Sequence, residues 1–295
     1  MIKLWLFELV VICVTAGLGI QEAAHPGLAA WRCGVGTQTL SLEVNGTVRS
    51  FRLHVPAGVQ ESAALVLALH GYSMRAENME AISQLSALAD REGFIAVYPQ
   101  AQGLIPEWDL SPEEDNPDAA YIQQMIFVLE TSCGIDPDRV FVTGFSNGAA
   151  MTERLACLLP RKIAAIAPVS GSYPAGGVCN AQKPMPMMAF HGDADPSANY
   201  DGEEGRTEPI PQWAADWALR SGCFSAFELM PGPEGIDHQK WMGCPAAVEV
   251  HLVTVKGLGH NWPRTDWGQT NSGLEAPIDA SEMMWTFFKS LSDQP

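Results

Sequence analysis

Basic residues are scarce in this 295-residue chain, which has 17 lysines and arginines against 34 acidic residues and a formal net charge of −17. Nucleic-acid binding needs clustered positive charge, so the deficit argues against a nucleic-acid partner and indicates a solvated acidic surface. No two cysteines form a C-x-x-C pair, which argues against a zinc site. Internal repeats, low-complexity tracts and linkers are missing between Cys33 and Leu291, so we expect one domain over residues 33–295.

Long apolar runs are also missing, apart from one at the N-terminus. Lys3 precedes the mostly apolar stretch Leu4 to Ile20, which contains Glu8 and is followed by small residues. This pattern predicts a signal peptide over residues 1–24, cleaved at an undetermined point, and a secreted or periplasmic mature protein with no membrane association. The competing interpretation is a membrane anchor, but the run is barely long enough and Glu8 would be costly in lipid.

Six cysteines follow the predicted signal peptide, and an even number in an exported chain suggests disulfides. Many pairings are open to them, and some could instead be buried free thiols. Pairing between sequence neighbours would give Cys157–Cys179 and Cys223–Cys244, and would leave Cys33–Cys133.

Short apolar runs alternate with helical patterns along the chain. Asn45-Gly46 separates two alternating segments, Gln38–Val44 and Val48–Val55, which predicts an antiparallel hairpin. Further strands are predicted at Ala64–Leu69, Phe94–Tyr98, Val140–Thr143, Ile163–Pro168, Pro186–Phe190 and Val248–Val255, and helices at Glu77–Arg91, Asp118–Cys133, Trp213–Ser221 and Asp279–Leu291. Phe224–Pro245 is expected to be an excursion closed by cysteines. This alternation favours a mostly parallel α/β sheet with helices on both faces and the hairpin at one edge.

The motif Gly144-Phe145-Ser146-Asn147-Gly148 lies between a predicted strand and a predicted helix. G-x-S-x-G in this context is typical of a nucleophile elbow, where a sharp turn projects the serine hydroxyl out of the sheet. The helix that begins there directs free N–H groups at a developing oxyanion. The alternative is a plain turn with a helix-capping serine.

A nucleophilic serine needs a base and an orienting carboxylate, and two loops at strand ends offer them. Asp193 and Asp195 follow the strand ending at Phe190, and one of the two could be only a turn residue. His260 follows the last strand between Gly259 and Asn261. The order serine, acid, histidine is the order expected in α/β-hydrolases.

Other residues near these loops have two interpretations each. His70, Trp108 and Trp262 are predicted to line the substrate pocket, although a structural histidine and packing tryptophans are the alternatives. His191 could likewise be structural. We expect the backbone N–H groups of Tyr72 and Asn147 to form the oxyanion hole.

The motifs together resemble a secreted esterase family that groups polyhydroxybutyrate-depolymerase-like enzymes with feruloyl and acetylxylan esterases. The resemblance extends from about Gln38 to Leu291 and rests on Leu69-His70-Gly71, Ile135-Asp136-Pro137-Asp138-Arg139-Val140, Gly144-Phe145-Ser146-Asn147-Gly148, His191-Gly192-Asp193-Ala194-Asp195-Pro196 and Gly259-His260-Asn261-Trp262-Pro263. It implies an α/β-hydrolase domain without metal or organic cofactor. It also implies that the acid before proline, Asp195, completes the triad, and that Cys223–Cys244 is a disulfide.

Two departures from the family pattern bear on the substrate. Leu258 stands where the family often has glycine, and Ala198-Asn199-Tyr200 stands where it often has Val-Pro-Tyr. The expected activity is ester hydrolysis through an acyl-enzyme on soluble polyhydroxyalkanoate oligomers or on feruloyl and acetyl esters of plant polysaccharide, because the chain leaves no room for an appended surface-binding module. A non-catalytic binding protein and a serine peptidase are the alternatives.

Overall fold

The structure, a computed structural model, describes residues 33–176, 183–245, 248–266 and 275–292. These residues form a ten-stranded sheet with the order β1-β2-β4-β3-β5-β6-β7-β10-β9-β8. The strands are β1 Gly36–Val44, β2 Thr47–Val55, β3 Ala63–Leu69, β4 Ile95–Pro99, β5 Ile135–Phe145, β6 Ala165–Val169, β7 Met187–Gly192, β8 Phe227–Leu229, β9 Ile236–Trp241 and β10 Val250–Val255. The helices are α1 Ala76–Ser83, α2 Leu85–Glu92, α3 Pro117–Cys133, α4 Asn147–Leu158, α5 Ile210–Arg220 and α6 Ala280–Ser292.

The N-terminal hairpin has the predicted form. β1 and β2 pair along their full length, from Gly36 opposite Val55 to Val44 opposite Thr47. Asn45 and Gly46 turn the chain with φ of 49° and 77°. A two-residue hairpin turn of this type needs two positive φ values, which Asn-Gly adopts at little cost.

The centre of the sheet is parallel and covered on both faces. Side chains alternate along β3, so that Leu65 and Leu67 pack in one apolar cluster and Ala64 and Val66 in another. The first cluster takes its helical side chains from α3, α4 and α5, and the second from α1, α2 and α6. β4, β3, β5, β6, β7 and β10 pair in parallel, which explains why these strands are apolar on both faces.

The single helix predicted over Glu77–Arg91 is wrong, because the chain forms two helices. Gln84 has φ of 53°, which ends α1 at Ser83 and starts α2 at Leu85. The Ser83 hydroxyl donates to the Met79 carbonyl, 2.7 Å away, at the end of α1. Both helices still place apolar side chains in the same cluster, so the break does not disturb the apolar pattern.

The start of α3 also differs from the prediction. Asn116, not Asp118, caps the helix, because its Oδ1 accepts the Ala119 N–H at 2.8 Å and Pro117 occupies the first turn. Asp118 is buried and pairs with Arg49 at 2.5 Å. The carboxylate therefore joins α3 to the hairpin.

The segment Phe224–Pro245 contributes β8 and β9, which extend the sheet antiparallel to β10. The sheet therefore has an antiparallel hairpin at each of its two edges, whereas the sequence predicted a hairpin at one edge only. The predicted disulfide Cys223–Cys244 closes this segment, and the predicted Cys33–Cys133 joins the chain before β1 to the end of α3.

Several predictions concern residues that are not described. Cys157 is disulfide-bonded, but its predicted partner Cys179 lies outside the described residues, as does the predicted signal peptide. In the described ranges, no helix is both long enough and apolar enough to cross a bilayer.

Candidate active site

Ser146 lies in the turn between β5, which ends at Phe145, and α4, which begins at Asn147. Its backbone has φ of 57° and ψ of −118°, a conformation that is strained for a residue with a Cβ. The turn is fixed from both sides, since the Ser146 N–H donates to the Val169 carbonyl at 3.0 Å and its carbonyl accepts the Ala149 N–H at 2.9 Å. The Ser146 hydroxyl forms no hydrogen bond within the part of the chain that the structure describes. This leaves the oxygen available for reaction.

The two glycines of the motif permit close backbone contacts. A Cβ at Gly144 would overlap the carbonyl of Gly148, and a Cβ at Gly148 would overlap the carbonyls of Leu69 and His70. Glycine at both positions therefore lets the first turn of α4 lie against β5 and against the end of β3. This contact is the physical reason for the G-x-S-x-G spacing.

Asp195 lies in the loop after β7 and is buried. Its Oδ1 accepts the N–H groups of Ser197 and Ala198, both at 2.8 Å, and its Oδ2 lies 2.7 Å from Nδ1 of His260. Burial acts to raise the pKa of Asp195, but the hydrogen bonds from His260, Ala198 and Ser197 outweigh it, and the pKa lies below its ordinary value. The carboxylate is therefore ionised and fixed in orientation beside the imidazole.

Asp193 and His191 have structural contacts instead. Asp193 Oδ1 accepts the Gly257 N–H at 2.6 Å, which ties the loop after β7 to the loop that carries the histidine. His191 Nε2 lies 2.8 Å from the Ala198 carbonyl, and burial lowers the pKa of this imidazole. The structure thus places Asp195, and not Asp193, against His260.

His260 lies in the loop after β10, next to the turn that holds Ser146. Its ring lies 4.8 Å, centre to centre, from the ring of Phe145, the residue before the serine. The Ser170 hydroxyl donates to the Asn261 carbonyl at 3.3 Å and anchors this loop to the end of β6. This role of Ser170 could not be predicted from the sequence, because only the fold brings the two segments together.

The loop after β3 lies against the other side of Ser146. A Cβ at Gly71 would stand 3.3 Å from the Cβ of Ser146. Among the described residues, the backbone N–H groups of Tyr72 and Asn147 donate no hydrogen bond. The two N–H groups are thus free to bind an oxygen. Their assignment as an oxyanion hole stays a prediction.

His70 and Trp108 are buried beneath this loop, where neither presents surface to a ligand. The Trp108 indole N–H donates to the His70 carbonyl at 2.8 Å. His70 Nε2 accepts the Ala101 N–H at 3.0 Å, so Nδ1 carries the proton and donates to the Gly71 carbonyl at 2.8 Å. The expectation that these side chains line the substrate pocket conflicts with their burial, and both support the loop from within.

Trp262 is also buried, and its indole N–H donates to the Ser281 hydroxyl at 3.1 Å. It therefore joins the histidine loop to α6, against the expectation that it contacts substrate. The Asn147 side chain has a role that the sequence did not suggest, because its Oδ1 accepts the Trp108 N–H at 2.8 Å. In the described residues, no group of three or more His, Cys, Asp or Glu side chains could hold a metal ion.

Comparison with known proteins places this geometry in a family. A family model described as esterase PHB depolymerase matches residues 49–208, more than half of the chain. The bifunctional acetylxylan esterase/xylanase XynS20E of Neocallimastix patriciarum is 32% identical over 246 residues, which cover 80% of this chain and 35% of that protein. Poly(3-hydroxyalkanoate) depolymerase C of Paucimonas lemoignei is 29% identical over 260 residues, which cover 77% of this chain and 62% of that protein.

This chain therefore spans less than two thirds of the length of either relative. Among solved structures, an acetyl xylan esterase from Aspergillus awamori matches with a TM-score of 0.62 and 19% identity, over 85% of this chain and 99% of that one, and shares the fold. The family model covers more than half of the chain, including Ser146 and Asp195. The chain therefore belongs to the esterase PHB depolymerase family and is a carboxylic-ester hydrolase with the α/β-hydrolase fold.

Proposed function

We propose that Ser146, Asp195 and His260 form the catalytic triad of a serine esterase. The observation that supports this most is the 2.7 Å contact between Asp195 Oδ2 and His260 Nδ1, with the imidazole packed beside the serine turn. Because the ionised Asp195 accepts a hydrogen bond from the Nδ1–H of His260, the proton of the neutral imidazole stays on Nδ1 and Nε2 is left unprotonated. That nitrogen can then take the proton of the Ser146 hydroxyl.

The reaction proceeds in two steps. Ser146 Oγ attacks the ester carbonyl while His260 takes its proton, and His260 then gives that proton to the departing alcohol as the acyl-enzyme forms. A water molecule, deprotonated by His260, then attacks the acyl carbonyl, and His260 returns the proton to Ser146 Oγ as the bond to the serine breaks and the acid leaves. The N–H groups of Tyr72 and Asn147 bind the oxyanion in both steps, and each such donor contributes about 3 kcal/mol to the transition state.

An exposed apolar rim, on loops bonded to the segments of the proposed oxyanion donors, favours substrates with an apolar part. We define this rim as Tyr72, Leu104 and Ile105, all more than half exposed. The segment that follows Leu104 and Ile105 is bonded at two points, since the Pro106 carbonyl accepts the Ser73 N–H at 2.8 Å and the Trp108 N–H donates to Asn147 Oδ1. These bonds join the loop of the rim to the segments that carry the two proposed oxyanion donors.

Such a surface suits a hydroxyalkanoate chain or a feruloyl group better than an acetyl group, because contact with it removes apolar area from water. We expect turnover of hydroxybutyrate dimers and trimers or of methyl ferulate to exceed that of acetylated xylan. Leu104→Ser with Ile105→Ser should raise KM for the apolar substrates and leave p-nitrophenyl acetate hydrolysis unchanged. Equal loss on all substrates would contradict the role of the rim.

The location of the protein is part of the proposal. Residues 1–24 act as a signal peptide, residues 33–295 form the catalytic domain, and the mature protein is secreted or periplasmic. Disulfides support this, since Cys33–Cys133 and Cys223–Cys244 would persist only in an oxidising compartment.

The test of the triad nucleophile is Ser146→Ala. We expect this variant to lose p-nitrophenyl acetate hydrolysis and to melt close to the wild-type temperature, because no hydrogen bond of the hydroxyl is lost. Ser225→Ala, at an exposed serine, is the matched control and should be fully active. Retention of wild-type activity by Ser146→Ala would remove the central assignment.

A further inference from the structure

A cleft of about 720 Å³ lies away from the proposed triad. Its walls come from the first turns of α3, the C-terminal half of α4 and the segments beside them, and include Glu114, Gln123, Arg154, Arg161 and Lys162. No triad residue lines it. Arg154 follows Ser146 by eight residues, which is about 12 Å along the axis of α4. The cleft is thus separate from the ester-hydrolysis site.

Arg154 is only 4% exposed, yet it has no ion-pair partner among the described residues. Its Nε is buried without a hydrogen-bond acceptor, and the guanidinium forms neither a hydrogen bond nor an ion pair in the part of the chain that the structure describes. The adjacent Glu153 interacts with Arg154 electrostatically but forms no ion pair with it, because its carboxylate accepts the Trp213 indole N–H at 2.9 Å and lies 3.8 Å from Arg220. A buried, unpaired charge is costly, and proteins usually pair it.

The cleft has a second unpaired arginine. Arg161 is exposed at its edge and forms no ion pair with any described residue, whereas Lys162 is neutralised by Glu130 at 2.8 Å. The chain has twice as many acidic as basic residues, so a shortage of carboxylates does not explain the missing ion pairs. Neither arginine of this cleft has an ion-pair partner among the described residues of so acidic a protein, which indicates that the anion comes from outside.

We propose that this cleft binds a hydroxylated monocarboxylate, such as a sugar acid, with Arg154 holding the carboxylate. The planar guanidinium matches a carboxylate with two parallel hydrogen bonds. Glu114 on the wall would repel a dianion but accepts hydrogen bonds from hydroxyl groups, and Gln123 can donate or accept. The volume falls in the range of clefts that hold small ligands.

The test is calorimetric titration of the wild-type protein with glucuronate, with glucose and sulfate as comparison ligands at constant ionic strength. We expect saturable binding of glucuronate that exceeds binding of both others. Arg154→Gln should weaken glucuronate binding about ten- to hundredfold, which is the effect of losing hydrogen bonds to a charged group. Arg161→Gln, at an exposed site that tolerates substitution, should weaken it less.

Arg206→Gln is the matched control, because Arg206 is exposed and already paired with Glu203 at 2.6 Å. It should bind glucuronate like the wild type. All variants should hydrolyse p-nitrophenyl acetate normally, so this result does not depend on the triad. Should Arg154→Gln fail to fold, Arg154→Lys is the second variant, because it keeps the positive charge but lacks the two parallel N–H donors of the guanidinium. It should still bind glucuronate more weakly than the wild type. Absence of glucuronate binding, equal binding of sulfate or glucose, or unchanged binding in the Arg154 and Arg161 variants would overturn the proposal.

Discussion

Asp195→Asn tests how the acid controls the proposed base. The carboxylate uses Oδ1 for the N–H groups of Ser197 and Ala198, and Oδ2 for Nδ1 of His260. In the variant, the amide oxygen can keep both backbone bonds, which turns the NH₂ group toward His260. Since that group only donates, Nδ1 must accept and the imidazole proton moves to Nε2.

An imidazole protonated at Nε2 cannot take the proton of Ser146. We therefore expect kcat to fall about 10⁴-fold, which corresponds to about 5.5 kcal/mol of transition-state stabilisation. The melting temperature should stay close to that of the wild type, because the two backbone bonds that shape the loop remain. The measurement is kcat and KM for p-nitrophenyl acetate together with a thermal melt.

Asp193→Asn is the matched control, two residues away in the same loop. Its amide oxygen can still accept the Gly257 N–H, so activity should remain close to the wild type. The reasoning is refuted if Asp195→Asn keeps kcat within about tenfold of the wild type, or if the Asp193 variant loses as much.

Two further predictions concern stability. Replacing Cys33 and Cys133 by serine opens a loop of sequence separation 100, against 21 for Cys223–Cys244. It should therefore lower the free energy of unfolding by about 1.4 kcal/mol more than opening the second loop does. Urea denaturation measures both, and the reverse order would contradict the loop-entropy argument. Burial, with the nearby His251 and Lys240, lowers the pKa of His238 to about 4. Between about pH 6.5 and 4 this histidine is therefore protonated in the unfolded chain and neutral in the folded protein, so the free energy of unfolding should fall as the pH falls through this window. His238→Gln should flatten the melting temperature between pH 7 and 5, and an unchanged slope would show that other groups, such as Glu249 at lower pH, dominate.

Local sequence patterns predicted most elements of the fold because their physics is local. Asn45 and Gly46 adopt positive φ values at little cost, so this pair by itself predicts the turn. The continuous apolar run of β3 predicts a strand whose two faces are both covered by helices. The break at Gln84 escaped prediction because one left-handed residue leaves the apolar pattern of both flanking helices intact. The role of Asp118 in joining α3 to the hairpin could not be predicted, because its partner, Arg49, is 69 positions away in the sequence.

By itself, the sequence determined the order of strands and helices, the serine turn and the set of candidate acids and bases, since each of these depends on a short stretch of residues. Only the tertiary structure decided which of these residues meet. It placed Asp195 against His260 while Asp193 bonds to Gly257, buried the rings of His70, Trp108 and Trp262, and left Nε of Arg154 without an acceptor among the described residues. The physical reason is that hydrogen bonding and burial depend on distances between loops that are far apart in the chain, and the fold alone sets those distances.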